Sequence, residues 1–171
     1  NIINLIENRI LYEFLKKNNI ILYFTLHHLV KDYIDIYKQK YKNSKYIQYI
    51  IDNDISECLS TTSLIVSDFS SIIFDQIYRR KPFIIYVPDA NDPEIQNIYT
   101  KNYFELIQSL KNGSIEFENT FFELNETVNK IVFYINNKFN LDKKLIHLYN
   151  SFQLKKKNQT NSFINYLKNM Q

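Results

Sequence analysis

The chain has 171 residues, 45% of them hydrophobic and 23% charged, with 21 Lys plus Arg against 18 Asp plus Glu. That length suits one α/β domain with a proper core and is too short for two full-sized ones. The apolar content and near balance of charge argue against a disordered segment and against a strongly basic nucleic-acid binder. The single cysteine, Cys58, leaves no internal disulfide and no cysteine-built zinc site, which fits a reducing, cytoplasmic setting. No run approaches the ~18 apolar residues of a membrane span.

In chain order, Asn1 to Asn18 carries Ile6, Ile10 and Phe14 at four-residue spacing, which predicts a helix packing one face. Ile20 to Phe24 is a short, wholly apolar run, as expected of a parallel strand buried on both faces. A helix over Leu29–Tyr41, a strand over Tyr46–Ile51 and a short helix capped by Asp54 and running to Leu59 follow. Ser63 to Val66 is the third strand, Ile72 to Tyr78 the next helix, and Phe83 to Val87 the fourth strand after the Lys81-Pro82 break. Strand and helix alternate throughout, the pattern of right-handed βαβ crossovers in a parallel sheet with helices on both faces. Beyond Pro88 an acidic loop leads to helices expected over Phe121–Lys138, Leu141–Tyr149 and Thr160–Met170. Residues 1–150 read as one α/β domain, and 151–171 as a C-terminal linker and helix.

In an open parallel sheet, ligands bind at the carboxyl ends of the strands, so the turns holding His27-His28, Asp68 to Ser71 and Asp89 to Asp92 come first. Ser70 and Ser71 stand at the start of a helix, where unpaired amides and the positive dipole end favour an anion such as phosphate. The plainer reading makes Asp68 or Ser70 an N-cap, which contributes about 1 kcal/mol to the helix. Histidine is the side chain whose unperturbed pKa lies near operating pH, so His27 is of the right type for proton transfer or phosphate hydrogen bonding. Asp89, Asp92 and Glu94 read as turn chemistry rather than a divalent-ion site. Arg79-Arg80-Lys81 reads as solvated cations closing a helix, and Lys155-Lys156-Lys157 as a solvated linker. The Tyr and Phe content reads as core, with no basic stripe interleaved.

Ser67-Asp68-Phe69-Ser70-Ser71, two apolar residues, Phe74-Asp75, then Lys81-Pro82, Tyr86 and Asp89 together resemble the hallmark of the CDP-glycerol glycerophosphotransferase family, (T/S)DYSS…FD…KP-x-x-x-Y-x-x-D. Phe69 replaces the tyrosine and keeps the ring without its hydroxyl. Asp54-Ile55 and Asn102-Tyr103-Phe104-Glu105-Leu106 extend the resemblance over roughly Leu22 to Gly113, while Thr25 stands where the family has arginine and the glycine expected near Asn102 is absent.

The resemblance implies a Rossmann-like α/β fold like the C-terminal, donor-binding half of a GT-B glycosyltransferase. It also implies transfer of glycerol phosphate, or a related polyol phosphate, from a CDP-linked donor to a polymer or lipid-linked acceptor, with release of CMP. In that picture Ser70 and Ser71 contact the donor pyrophosphate, His27 lies beside it as the catalytic group, and Asp68 and Asp75 complete the substrate-binding set. No metal or cofactor is implied, and no nucleic-acid partner. The family's second histidine belongs to a preceding acceptor domain that this sequence does not match, so the chain is expected to bind a nucleotide and to need a partner domain for turnover. The setting implied is cytoplasmic, with peripheral association at the inner face of the membrane. Two alternatives stay open: a non-catalytic or truncated nucleotide-binding domain, and a GT-B enzyme using a UDP- or GDP-sugar.

Overall fold

A computed structural model describes residues 2–25, 31–50, 55–68, 72–88, 119–146 and 149–150. The first eighteen residues form two helices rather than one, α1 (Ile2–Ile6) and α2 (Arg9–Asn18). Asn8 breaks them: its backbone is extended, and its side-chain oxygen accepts the amide of Leu11 at 2.9 Å. An N-cap is itself non-helical, so a new helix starts there. Leu5, Ile6, Leu11 and Leu15 bury the inner faces of the pair.

Strand β1 (Leu22–Phe24), helix α3 (Lys31–Tyr41) and strand β2 (Ile47–Tyr49) make the first crossover unit. β1 and β2 are parallel, with Leu22 opposite Ile47 and Phe24 opposite Tyr49. Helix α4 (Ile55–Thr61) leads to β3 (Ile65–Ser67), α5 (Ile72–Tyr78) and β4 (Phe83–Tyr86), a second parallel unit with Ile65 opposite Phe83. The order of elements expected from the sequence is therefore present as far as β4, and the fold is α/β with parallel strands. Among the described residues the strands form two ladders, β1-β2 and β3-β4-β5, rather than one continuous sheet.

β5 (Thr120–Phe121) is a departure from expectation, since Phe121 was to begin a helix. It pairs in parallel with β4, whose free edge needs a partner for its peptide groups. Helix α6 (Leu124–Asn136) starts only after this strand, and a further helical turn spans 143–146. β4 is the centre of the ladder. Phe83 and Ile84 are fully buried, and Ile85 and Tyr86 nearly so. Because successive side chains on a strand point to opposite faces, burial of all four means both faces are covered. α5 and α6 both pack against it.

A chain of polar groups ties the C-terminal elements to this strand. Buried Asn119 donates through Nδ2 to the Phe83 carbonyl (3.0 Å) and to the Tyr134 hydroxyl (2.6 Å). Tyr134 in turn donates to Asp142 (3.1 Å), which also receives Lys130 (2.6 Å) and, through its other oxygen, the amide of Leu145 (2.9 Å). Asp142 thus caps the turn at 143–146. The Tyr149 hydroxyl donates to the Lys81 carbonyl just before β4.

Candidate functional site

The candidate site lies where β3 ends and α5 begins. β3 delivers Ser67 and Asp68 to the carboxyl edge of its ladder. Ser67 donates its hydroxyl to Asp68 Oδ1 at 3.4 Å, a long contact, and Asp68 is exposed. α5 follows four residues later. It buries Ile73, Gln76 and Ile77 against β3 and β4, and the helical spacing of those three turns Asp75 outward into solvent, in the helix's first turn. A carboxylate there is favoured by the helix dipole.

Of the five residues singled out from the sequence, the structure places Asp68 and Asp75 at the same end of the β3–α5 unit, both exposed. His27, Ser70 and Ser71 lie outside the described residues, as do His28, Asp89 and Asp92. Beside it on the same edge is the end of β4, at Tyr86 and Val87, the latter donating its amide to the Phe121 carbonyl at 3.0 Å. Among the described residues no group of three or more His, Cys, Asp or Glu stands together as a metal would require.

The cations after α5 do something more specific than close that helix. Arg79 donates one guanidinium nitrogen to the Leu59 carbonyl and the other to the Ser60 carbonyl at 2.5 Å, and Lys81 reaches the Thr62 carbonyl at 2.6 Å. They cap the C-terminus of the preceding helix, α4, supplying donors to carbonyls that have no partner within the helix. Burial, with the Arg79 charge adding to it, lowers the Lys81 pKa. The structural reading of these cations stands, and their partner is a neighbouring helix rather than water.

Sequence reasoning missed a second feature. The lysines of α3 and the turn after it do interleave with aromatic rings: Lys38 stands over Tyr49 (5.3 Å), Lys40 over Tyr37 (5.9 Å) and Tyr41 (5.7 Å), and Lys45 over Tyr46 (5.3 Å). The signal was the run Tyr37 to Tyr46, in which Lys38, Lys40, Lys42 and Lys45 alternate with tyrosines.

Residues 3–113, well over half of the chain, match the sequence model of the CDP-glycerol:poly(glycerophosphate) glycerophosphotransferases. The chain belongs to that family. Among characterised members, it is similar to the teichoic acid ribitol-phosphate polymerase TarL of Staphylococcus aureus, 30% identical over 109 residues that cover 61% of this chain and 18% of the polymerase. The minor teichoic acid biosynthesis protein GgaB of Bacillus subtilis is 26% identical over 163 residues, 94% of this chain and 16% of GgaB. The teichoic acid poly(glycerol phosphate) polymerase of Bacillus spizizenii is 33% identical over 72 residues, 42% of this chain and 18% of that protein. The matched part of the chain thus spans less than a fifth of the length of these relatives. No solved structure matches it. Among the described residues no helix is long and apolar enough to cross a membrane.

Proposed function

We propose that this glycerophosphotransferase chain forms the donor-binding part of an enzyme that moves a polyol phosphate from a CDP-linked donor onto a growing teichoic-acid-type polymer, releasing CMP. The reading rests on one observation above the others: the Ser67-to-Asp75 segment of the family runs from a parallel strand into a helix, at the edge of the ladder where such folds take their ligands. The relatives named for ribitol phosphate and for glycerol phosphate support a polyol phosphate as the transferred group and leave the polyol open. A Rossmann-like half of a GT-B enzyme is the architecture proposed with it, acting at the cytoplasmic face of the membrane.

In this reading Ser70 and Ser71, with the amides that open α5, hold the donor's diphosphate. The acceptor hydroxyl attacks the phosphorus that carries the polyol, in line with the bond to the CMP oxygen. That bond breaks, CMP leaves with the electron pair, and the hydroxyl proton passes to a base for which His27 is the candidate. Rate enhancement then comes from alignment and from charge stabilisation around the phosphoryl oxygens. Asp68 and Asp75 complete the substrate-binding set, Asp75 orienting the nucleotide end of the donor or bracing the serine segment. The test is titration of the chain with CDP-glycerol, CDP-ribitol, UDP-sugars and CMP by calorimetry. Binding restricted to the cytidine nucleotides, and weakened by about 1 to 3 kcal/mol in Ser71→Ala with unchanged thermal unfolding, is the expected result. Equal affinity in parent and variant overturns the phosphate assignment.

A further inference from the structure

Charge is distributed unevenly along the chain. The first 50 residues hold eight Lys and Arg against four Asp and Glu, while the remaining 121 hold 13 against 14, so the whole net charge of +3 is owed to the α1-to-β2 segment. Within that segment five of the eight cations gather in one place. Lys40, Lys42 and Lys45 lie from the last turn of α3 to the start of β2, and Lys16 and Lys17 lie in the last turn of α2, which leads to β1. These two connections are neighbours: Leu22 donates its amide to the Tyr46 carbonyl at 2.9 Å, and the rings of Tyr12 and Tyr46 meet edge to face at 6.3 Å. In a parallel ladder, strand beginnings and the ends of the preceding helices lie at the edge opposite the strands' carboxyl ends. The basic face thus gathers at the strand-beginning edge of the β1-β2 ladder, whereas the candidate donor site is built on the carboxyl end of β3, in the other ladder.

Helix-dipole compensation accounts for a cation or two in a last turn. It does not account for Lys42 and Lys45, beyond the helix end, nor for the pairing of lysines with tyrosines. Each ammonium that stands over a ring is held near a flat, partly buried phenol, with Tyr37 and Tyr41 themselves stacked at 6.5 Å and 11°. Glu7, which pairs with Lys40, and Asp35, at 3.9 Å from Lys38, offset only part of the charge.

We propose that this lysine–tyrosine face of α2, α3 and β2 is a second binding surface, one that holds a polyanionic polyol-phosphate chain away from the donor site. The chemistry is complementary at the level of the repeat: phosphates meet ammonium groups through charge-assisted bonds, and polyol carbons lie against the phenol rings between them. The proposal rests on the polymer reading given above for the function. A lipid bilayer or a nucleic acid would meet the same charge, but a bilayer presents headgroups on a surface and a nucleic acid spaces its phosphates with cyclic sugars that carry bases, so neither supplies acyclic, base-free polyol units between successive phosphates.

The experiment is fluorescence anisotropy of a labelled glycerol phosphate oligomer of about ten units with the 171-residue chain, against unlabelled inorganic phosphate, single-stranded DNA of equal charge and vesicles containing anionic lipid as competitors. The oligomer is expected to bind, to lose affinity steeply with added salt, and to resist competition by phosphate and DNA. Lys42→Glu with Lys45→Glu is expected to weaken it at least tenfold while leaving CDP-nucleotide binding and thermal unfolding unchanged. Tyr46→Phe, which keeps the ring, is expected to retain binding. Equal oligomer affinity in the double variant, or equal competition by DNA or vesicles, overturns the proposal. Because nucleotide binding is measured on the same samples, failure of the donor-site reading appears separately, as loss of CDP selectivity in the parent chain.

Discussion

Asn19, Arg80 and Lys138 all sit in the left-handed region, with φ of 52°, 54° and 52°. Each follows a helix and closes it in the same way. The residue's own amide bonds the carbonyl three back, and the next amide bonds the carbonyl five back, as with Lys138 to Ile135 and Phe139 to Tyr134. Glycine is the usual occupant of this position because a Cβ there costs energy, yet the chain has one glycine in all. Lys138→Gly is therefore expected to raise stability by about 1 kcal/mol in urea unfolding, since its side chain is exposed. No change would mean that the αL backbone is imposed without cost by the adjoining Phe139, also at positive φ. Gln76 is the opposite case: its side chain is completely buried, and neither amide atom has a hydrogen-bond partner among the described residues. Gln76→Leu is expected to stabilise by about 1 kcal/mol, because a desolvated polar group without partners is removed. A loss of stability instead would reveal a partner for the amide.

The C-terminal elements depend on Asp142. Burial alone would raise its pKa, but the Leu145 amide and the Lys130 ammonium, with the Tyr134 hydroxyl, hold it below the ordinary carboxylate value. A carboxyl whose folded pKa is depressed contributes stability above its unfolded pKa, and that contribution disappears as pH falls through the folded one. Unfolding followed by Tyr fluorescence should accordingly show loss of stability below about pH 4, and Asp142→Ala should cost about 2 to 4 kcal/mol at neutral pH and flatten that acid dependence. An unaltered acid limb in the variant would exclude Asp142 as its source. Tyr134 titrates above the normal phenol range, mainly through burial, so it stays a neutral donor throughout. None of this network was legible in the sequence, because Asn119 meets Phe83 across 36 residues and Tyr134 meets Asp142 across eight. The same holds for β5, whose two residues are a strand only because β4 offers an edge. What was legible were the strands and helices from Leu22 to Tyr86, where apolar runs and periodicity are local signals. The helix break at Asn8 was there to be read as an N-cap, but the regular spacing of Ile6, Ile10 and Phe14 outweighed it. Of the candidate site, the strand–helix junction after β3 followed from the strand–helix rhythm, and Asp68 and Asp75 are exposed on either side of it, whereas the serine turn and His27 fall outside the described residues.

On the scale of the molecule, the family match ends at residue 113 while the packing does not. Val128, Ile131, Tyr134, Ile135, Leu145 and Tyr149 are all buried, and they join the same core cluster as Phe83 to Val87. α6 also packs against α1 and α2, so the last elements link the ladder β3-β4-β5 to the N-terminal helices. Full burial of one such side chain is worth about 1.5 to 3 kcal/mol, so the six together contribute on the order of 10 kcal/mol, comparable to the whole net stability of a domain. Deleting them also exposes the edge of β4, leaves the Phe83 carbonyl without Asn119 and uncovers the rest of the strand. The family motif alone is therefore not an independently folding unit. A chain ending at residue 118 is expected to lack a cooperative urea transition and to be digested rapidly by protease, while one ending at residue 150 unfolds cooperatively. A sharp two-state transition in the shorter chain would show that β5, α6 and the turn at 143–146 are appended to the core rather than part of it.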